Sequence, residues 1–133
     1  MNKEIDAYEI DLHGKQFNAD MKHLVKKKKF NQLPSQIKSL KNDLEKGKFD
    51  GDRITHKELP TPHDVYKIRL PNPDTNSGKS NGYRVIYFVV TEKKIVVLLT
   101  IYYKKEQEDV DEIYINGLID GYFMGGLPPE ETE

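Results

Sequence analysis

Three consecutive β-strands are predicted by residues 65–105, VYKIRLPNPDTNSGKSNGYRVIYFVVTEKKIVVLLTIYYKK. The first strand, at residues 65–70, alternates so that Lys67 and Arg69 lie on the same face. The next two strands, within residues 83–103, are apolar at almost every position and must therefore be covered on both faces. The polar loop and the tight turn between these strands predict a three-stranded antiparallel meander at the centre of the fold.

The N-terminal half supplies an edge strand and a helical hairpin that can cover this meander. Alternation at residues 8–12 predicts the strand. One helix follows it, and a second begins at Pro34, whose missing amide costs nothing there, and ends at Gly47. Residues 49–62 are expected to form an irregular link. The buried stripes of the two helices consist of Phe17, Met21, Leu24, Val25, Ile37, Leu40 and Leu44.

A third helix is predicted near the C-terminus, where apolar residues recur at helical spacing over residues 110–122. Gly117 and Gly121 interrupt it, and each costs about 1 kcal/mol relative to Ala unless another group approaches closely there. The sequence therefore predicts an α+β fold with an N-terminal strand, a helical hairpin, a twisted and mainly antiparallel sheet, and a C-terminal helix. Residues 1–124 are expected to form a single domain, followed by a disordered acidic tail at residues 125–133.

Composition limits the kinds of site that the chain can hold. Its 133 residues include no cysteine, which excludes disulfides and thiolate metal sites and fits a reducing compartment. The four histidines lack metal-ligand spacing, and SGKS at residues 77–80 lacks the first glycine of a phosphate-binding loop, so no metal or cofactor is expected. No apolar run approaches the ~20 residues of a membrane-spanning helix. The protein is therefore expected to be cytoplasmic and not bound to a membrane.

The net charge of -1 conceals a segregation of charge along the chain. Residues 61–105 hold eight Lys or Arg against three Asp or Glu, a balance of +5. Residues 106–133 hold nine Asp or Glu and no Lys or Arg, a balance of -9. A basic sheet followed by an acidic segment indicates an anion-binding face with negative charge nearby. A further basic run, Lys26 to Lys29, either closes the first helix at the negative end of its dipole or contacts RNA phosphates.

Cations and phenols cluster at the ends of the predicted strands. Cleavage of RNA without a metal requires stabilisation of the negative charge on a phosphorane. Arginine suits this task, because its planar fork binds two phosphate oxygens and stays charged. A lysine among other cations can act as an acid or a base. Lys67 and Arg69 can equally be ordinary outward residues of a strand, whereas Arg84 opens a strand that is otherwise apolar. The cluster consists of Lys67, Arg69, Arg84, Tyr102, Tyr103, Lys104 and Lys105.

The order of these motifs resembles the RelE/HigB branch of the RelE/ParE toxin superfamily. The motifs are Lys67-Ile68-Arg69, the sequence GYRVIY at residues 82–87, and a valine- and leucine-rich strand that ends in Lys104-Lys105. With the flanking helices, the resemblance covers most of the chain. It implies a RelE-like fold and the toxin of a type II toxin–antitoxin system. Such a toxin is an endoribonuclease that cleaves mRNA on the ribosome without a metal and is silenced by a cognate antitoxin protein.

The resemblance also implies roles for individual residues. Lys67 and Arg69 match cations that act in proton transfer and positioning. Arg84 matches an arginine that stabilises the scissile phosphate, and Lys105 matches a basic residue that binds phosphate. These four are the predicted catalytic residues, and the predicted RNA-binding residues are Lys79, Tyr103 and Lys104.

Two departures from the family pattern leave other functions open. The family tyrosine beyond the basic pair falls near Asp111 here, so its role is vacant unless Tyr103 or Tyr114 fills it. The loop at residues 71–82 is also longer than in the family. The alternatives are a ParE-like toxin that inhibits a topoisomerase by binding, and a catalytically inactive RelE-fold binding protein. The grouping of three strand cations favours the ribonuclease, because binding alone does not need them.

Overall fold

The computed structural model of the protein describes residues 7–11, 14–54 and 64–125. Most of the predicted acidic tail, and His13, His56 and His63, lie outside these residues. Within them, no helix is long and apolar enough to cross a membrane. The elements are, in chain order, β1 (Glu9–Asp11), α1 (Lys15–Lys22) with a π-helical continuation (His23–Lys27), α2 (Leu33–Glu45), β2 (Asp52–Ile54), β3 (Asp64–Leu70), β4 (Tyr83–Val90), β5 (Ile95–Tyr103) and α3 (Glu112–Gly125).

A five-stranded mixed sheet of order β1-β5-β4-β3-β2 forms the centre of the fold. The predicted meander is confirmed, because β4 pairs antiparallel with both β3 and β5. The N-terminal strand lies at one edge, parallel to β5. Together with the three helices, this sheet confirms the predicted α+β class and its order of elements.

The expectation of an irregular link over residues 49–62 is wrong at Asp52–Ile54. These residues form β2, which pairs antiparallel with Val65–Lys67 at the other edge of the sheet. A strand of three residues is too short to show an alternating pattern, and two of the three are exposed. Its conformation is therefore set by its neighbour β3 and not by its own sequence.

Helices cover both faces of the sheet, as the doubly apolar strands require. On one face, α1 and α2 pack against a core of Phe17, Leu24, Phe30, Leu33, Ile37, Leu40, Leu44, Tyr83, Val85, Tyr87, Val89, Val96, Leu98, Ile101 and Tyr103. On the other face, α3 contributes to a second core of Val65, Ile86, Phe88, Val97, Leu99, Tyr102, Ile115 and Ile119. A register shift between Ile86 and Tyr87 changes which residues of β5 face each core, and β5 contributes apolar side chains to both cores.

Local sequence sets both limits of α2, as predicted. Pro34 lies in the first turn, where its missing amide leaves no bond unmade. Gly47 has a φ of 81°, in the left-handed region that favours glycine. The amides of Gly47 and Lys48 bond the carbonyls of Leu44 and Asp43, each at 3.0 Å. This pair of bonds is the Schellman arrangement that ends a helix.

The carboxylate of Asp20 in α1 satisfies the part of β5 that β1 does not reach. β1 pairs only with Ile95–Val97. Further along, Asp20 Oδ2 accepts hydrogen bonds from the Ile101 amide at 3.1 Å and from Thr100 Oγ1 at 2.5 Å. A buried strand amide without a partner costs stability, so one side chain here replaces a neighbouring strand.

Replacement of Asp20 by Ala should lower the free energy of unfolding by about 1–3 kcal/mol, because it leaves the Ile101 amide without an acceptor. Thr100→Val removes only one of the two hydrogen bonds and should cost about 1 kcal/mol. Urea denaturation of both variants measures the difference. A protein with Asp20→Ala that is as stable as the wild type would show that water replaces the carboxylate.

Replacement of Gly117 or Gly121 by Ala should raise the free energy of unfolding by about 0.5–1 kcal/mol each. A Cβ atom at either position would meet no other atom within 4 Å, so the helix gains rigidity without a clash. Thermal melts of the single and double variants test this. Destabilisation by either change would mean that the backbone of α3 makes a close contact in solution.

Candidate active site

A row of charged side chains crosses the sheet where β3 ends and β4 begins. Arg69 lies directly opposite Arg84 in the β3–β4 ladder, and Arg84 lies opposite Tyr102 in the β4–β5 ladder. Lys67 is two residues before Arg69 and therefore on the same face. This is the face of α3, since Ile86, which pairs with Lys67, belongs to the α3 core. Two arginines directly opposite each other repel, so the row needs compensating negative charge or dipoles.

A carboxylate lies among these cations. The Tyr102 hydroxyl donates a hydrogen bond to Asp109 Oδ1 at 3.1 Å, and Lys67 Nζ lies 3.9 Å from the same oxygen. Lys104 Nζ lies 3.3 Å from Asp109 Oδ2. The side chain of Asp109 is 48% exposed, whereas Lys67 and Lys104 are 23% and 28% exposed. Two lysines and a phenol thus bind an anion at a site that solvent reaches.

The protonation states in this group follow from the same contacts. Burial raises the pKa of Tyr102 to about 12, and the negative charge of Asp109 adds to the rise. Burial also favours the neutral form of Asp109, but the hydrogen bonds from Tyr102 and Lys104 and the charge of Lys67 outweigh it. The pKa of Asp109 is therefore below its usual range. At neutral pH the site holds a neutral phenol and an ionised carboxylate.

Arg84 has a structural task that its sequence position does not show. The residue is 5% exposed. Its Nη1 donates to the carbonyl oxygens of Lys79 at 2.8 Å and Tyr83 at 3.3 Å, and its Nη2 donates to that of Ser80 at 3.0 Å. Three backbone dipoles thereby compensate its charge. A guanidinium has five N–H donors, so two remain for another acceptor.

Arg84 thereby fixes the position of Lys79 at the wall of a cleft of about 560 Å³. The lining of the cleft comes from α2, from the start of β2 and the residues before it, from the second half of β3 and from Lys79. Lys67, Arg69 and Lys79, three of the predicted site residues, line it. Its acidic lining residues are Asp43, Asp50 and Asp52. Among the described residues, no group of three or more His, Asp or Glu side chains is placed to hold a metal ion.

Tyr103 lies on the other face of the sheet. Its ring packs edge-on against Phe30, with 5.2 Å between the ring centroids, and the residue is 8% exposed. Its hydroxyl donates to Thr75 Oγ1 at 3.1 Å. Burial raises the pKa of Tyr103, but hydrogen bonds and nearby cations, Lys105 among them, outweigh it and lower the pKa. Lys105 is exposed and lies near enough to Tyr103 for its charge to affect the pKa of that phenol. Tyr103 does not belong to the group around Asp109.

A second acidic residue, Glu106, links the group around Asp109 to the basic end of the first helix. Glu106 Oε2 lies 2.9 Å from His23 Nε2 and 3.9 Å from Lys28 Nζ. Asp109 follows only three residues later. The segment at residues 106–109 therefore runs from the Lys26–Lys29 region to the strand cations and places one carboxylate at each.

Asp109 is a functional candidate that its place in the sequence conceals. It belongs to an acidic segment that is typical of a solvated surface. The contact of this segment with Lys67 is visible only in the folded structure. Among the tyrosines, Tyr102 has its hydroxyl in the group, whereas Tyr103 and Tyr114 do not. Alternation along β5 is the signal that separates Tyr102 from Tyr103, because consecutive strand residues face opposite sides of the sheet.

Comparison with known proteins adds a likeness of fold. No family model matches the chain, and no curated protein matches it at a significant level. A solved structure to which it is similar is the isolated RelE toxin of E. coli, with 21% sequence identity and a TM-score of 0.42. The match covers 86% of this chain and 98% of that chain. At this identity and TM-score, the similarity assigns neither an activity nor a residue role to this protein.

Proposed function

We propose that this protein is a toxin of the RelE type, an endoribonuclease that cleaves mRNA on the ribosome and is silenced by a cognate antitoxin protein. The observation that carries the proposal is the accessible anion site in which Lys67, Lys104 and Tyr102 bind the carboxylate of Asp109. The proposal rests on the chemistry of these side chains and on the motifs that resemble the family.

The groups that bind a carboxylate here also suit a phosphodiester. Both ligands present anionic oxygens, and lysine ammonium groups and phenols donate hydrogen bonds to either. Arg69 is exposed beside this site and can bind two phosphate oxygens with its planar fork. The adjoining basic run at Lys26–Lys29 extends the positive surface, so an RNA strand can follow the path that residues 106–109 mark.

Cleavage of RNA without a metal requires removal of the 2′-hydroxyl proton, stabilisation of the phosphorane charge and protonation of the 5′-oxygen. These residues can supply the last two. Arg69 and Lys104 stabilise the negative charge that develops on the phosphorane oxygens. Lys67 donates a proton to the leaving 5′-oxygen. Lys105 and Lys79 serve to hold the flanking phosphates. No metal is required by this scheme, because cationic side chains carry the charge stabilisation.

The partners follow from the shape and charge of the surface. The cations lie at one end of the sheet and do not by themselves align an RNA chain for in-line attack, whereas mRNA held in the ribosomal decoding site is already ordered. An antitoxin needs to cover the same cations. Asp109 pairs with Lys104 and Glu106 pairs with His23, so carboxylates on a polypeptide fit both the strand cations and the basic end of the first helix. An acidic antitoxin segment is therefore the expected inhibitor.

Arg84 is assigned a role in positioning and, through its two remaining donors, in binding the scissile phosphate. Its three carbonyl bonds hold the turn that carries Lys79. The same bonds support an alternative function. A guanidinium engaged by its own backbone, with an internal carboxylate in the anion site, also fits a catalytically inactive binding protein or a ParE-like inhibitor of a topoisomerase.

Lys67→Ala and Arg69→Ala should each slow mRNA cleavage by ~100-fold to ~1000-fold, because each removes a preorganised donor from the reacting phosphate. The double variant should lose less than the product of the two factors, since both residues serve one phosphate. Cleavage is measured on programmed ribosomes and, in parallel, as growth arrest on expression in cells.

Lys93→Ala is the matched control, because Lys93 is an exposed lysine at the opposite end of the same strands. It should cleave as the wild type does. Naked mRNA should be cleaved poorly by all variants. Equal cleavage of naked and ribosome-bound mRNA would refute the ribosome dependence. Growth arrest without any cleavage would move the assignment to the topoisomerase-binding alternative.

Arg84→Ala should lower the free energy of unfolding by about 1–3 kcal/mol, because it removes the donor of three hydrogen bonds to backbone carbonyl oxygens. Arg69→Ala, at the exposed cross-strand partner, should change it by no more than about 0.5 kcal/mol. Denaturation with urea compares the two. A stable protein with Arg84→Ala and full toxicity would exclude Arg84 from both the positioning and the phosphate-binding role.

A further inference from the structure

RNA cleavage at the group formed by Lys67, Tyr102, Lys104 and Asp109 needs a side chain that accepts a proton. Cleavage of RNA begins with loss of a proton from the 2′-hydroxyl. A lysine ammonium and an arginine guanidinium are donors without a free lone pair. The phenol of Tyr102, with a pKa of about 12, is likewise a donor at neutral pH. Of the four side chains in contact here, Lys67, Tyr102, Lys104 and Asp109, Asp109 is the one whose ionised carboxylate can accept the proton.

We propose that Asp109 is the general base that removes the proton from the 2′-hydroxyl of the RNA. The inference rests on the proposed ribonuclease function and names a residue beyond the set that the motifs suggest. Its basis is geometric: one carboxylate is held by Tyr102, Lys104 and Lys67 on the exposed side of the site that binds the phosphate.

The contacts of Asp109 leave room for the substrate. A carboxylate has about four lone-pair positions, two on each oxygen. Tyr102 occupies one position on Oδ1, Lys104 approaches one on Oδ2, and Lys67 Nζ lies 3.9 Å from Oδ1, beyond hydrogen-bond distance. Each oxygen therefore keeps a lone pair, and the side chain is 48% exposed. The two contacts hold the carboxylate in place from different sides, so that it is oriented before the RNA arrives.

The reaction that follows is balanced within these residues. Asp109 takes the proton of the 2′-hydroxyl while O2′ forms a bond to phosphorus. The P–O5′ bond breaks, and O5′ takes a proton from the ammonium of Lys67. The products are a 2′,3′-cyclic phosphate and a 5′-hydroxyl. Exchange of protons with water then returns Asp109 to the carboxylate and Lys67 to the ammonium form.

The cations that orient Asp109 also weaken it as a base. Lys67 from β3, and Tyr102 and Lys104 from β5 and the turn after it, hold its pKa below the usual range. A base is most effective when its pKa lies near the working pH. We therefore expect a contribution of ~100-fold, at the lower end for general bases.

The competing view is that Asp109 is only an internal anion that occupies the phosphate site. The two views predict opposite effects of Asp109→Asn, which removes the charge and keeps the shape. A general base is needed for the chemical step, so its loss slows cleavage. A competing anion obstructs RNA, so its loss strengthens binding and does not slow cleavage.

The experiment measures single-turnover cleavage of mRNA on programmed ribosomes at saturating protein. Binding is measured separately with mRNA in which hydrogen replaces the 2′-hydroxyl at the cleaved position. Asp109→Asn should cleave ~100-fold more slowly and bind the 2′-deoxy mRNA at least as tightly as the wild type. Glu108→Gln removes the same charge from the adjacent exposed residue. This control should cleave and bind as the wild type does. Thermal melts establish that both variants are folded.

Asp109→Glu provides a second test, since it keeps a carboxylate but moves it by one methylene. It should recover part of the rate that Asp109→Asn loses. Cleavage by Asp109→Asn at the wild-type rate or faster would overturn the assignment and leave the ribonuclease function intact. A wild-type protein that cleaves neither ribosome-bound nor naked mRNA would instead refute the proposed function, and the base with it.

Discussion

Strands β4 and β5 are apolar on both faces, and the rest of the structure depends on covering them twice. The helical hairpin of α1 and α2 fills one face, and α3 fills the other. Because the apolar residues occupy the length of both strands, charged groups are restricted to the strand ends and to the neighbouring strand β3. The anion site lies at the β3–β4 end of the sheet for this reason. The cores exclude charged side chains from the middle of these strands, where the polar Thr100 is accommodated by its hydrogen bond to Asp20.

The positive charge at this end of the sheet is compensated from within the chain. Arg84 is surrounded by backbone carbonyls, and the lysines that face it meet the carboxylate of Asp109. Clustered cations destabilise a folded state when they are unpaired, so the acidic segment after β5 contributes to folding as well as to the site. Ion pairs between exposed side chains are weak in water, so the same lysines can also contact a phosphate.

The segment that follows β5 therefore joins stability to function. Residues 106–109 connect the last strand to α3 and place carboxylates on the two basic groups of the surface. A change in this segment acts on the charge of the site without altering either core. Arg84 represents the opposite case. Its guanidinium supports the loop between β3 and β4, so its removal affects the positions of other residues as well as its own contacts.

Periodicity and local signals in the sequence were enough to determine the strands of the meander, the three helices, the limits of α2 and the α+β class. These features depend on contacts between near neighbours or on alternation along one element. Lys67 and Arg69 share a face because strand side chains alternate with a period of two, and that too is a local property.

Tertiary structure alone decided the remaining features. β2 takes its conformation from β3, Asp20 replaces a missing strand for β5, and Asp109 meets Lys67 from a segment 42 residues further along the chain (109 minus 67). The burial of Arg84 and the hydrogen bond from Tyr102 to Asp109 likewise follow from how the elements pack. The contacts of β2 with β3, of Asp20 with β5 and of Asp109 with Lys67 join residues that are distant in the sequence. Their formation depends on the geometry of the completed fold, which no local pattern encodes.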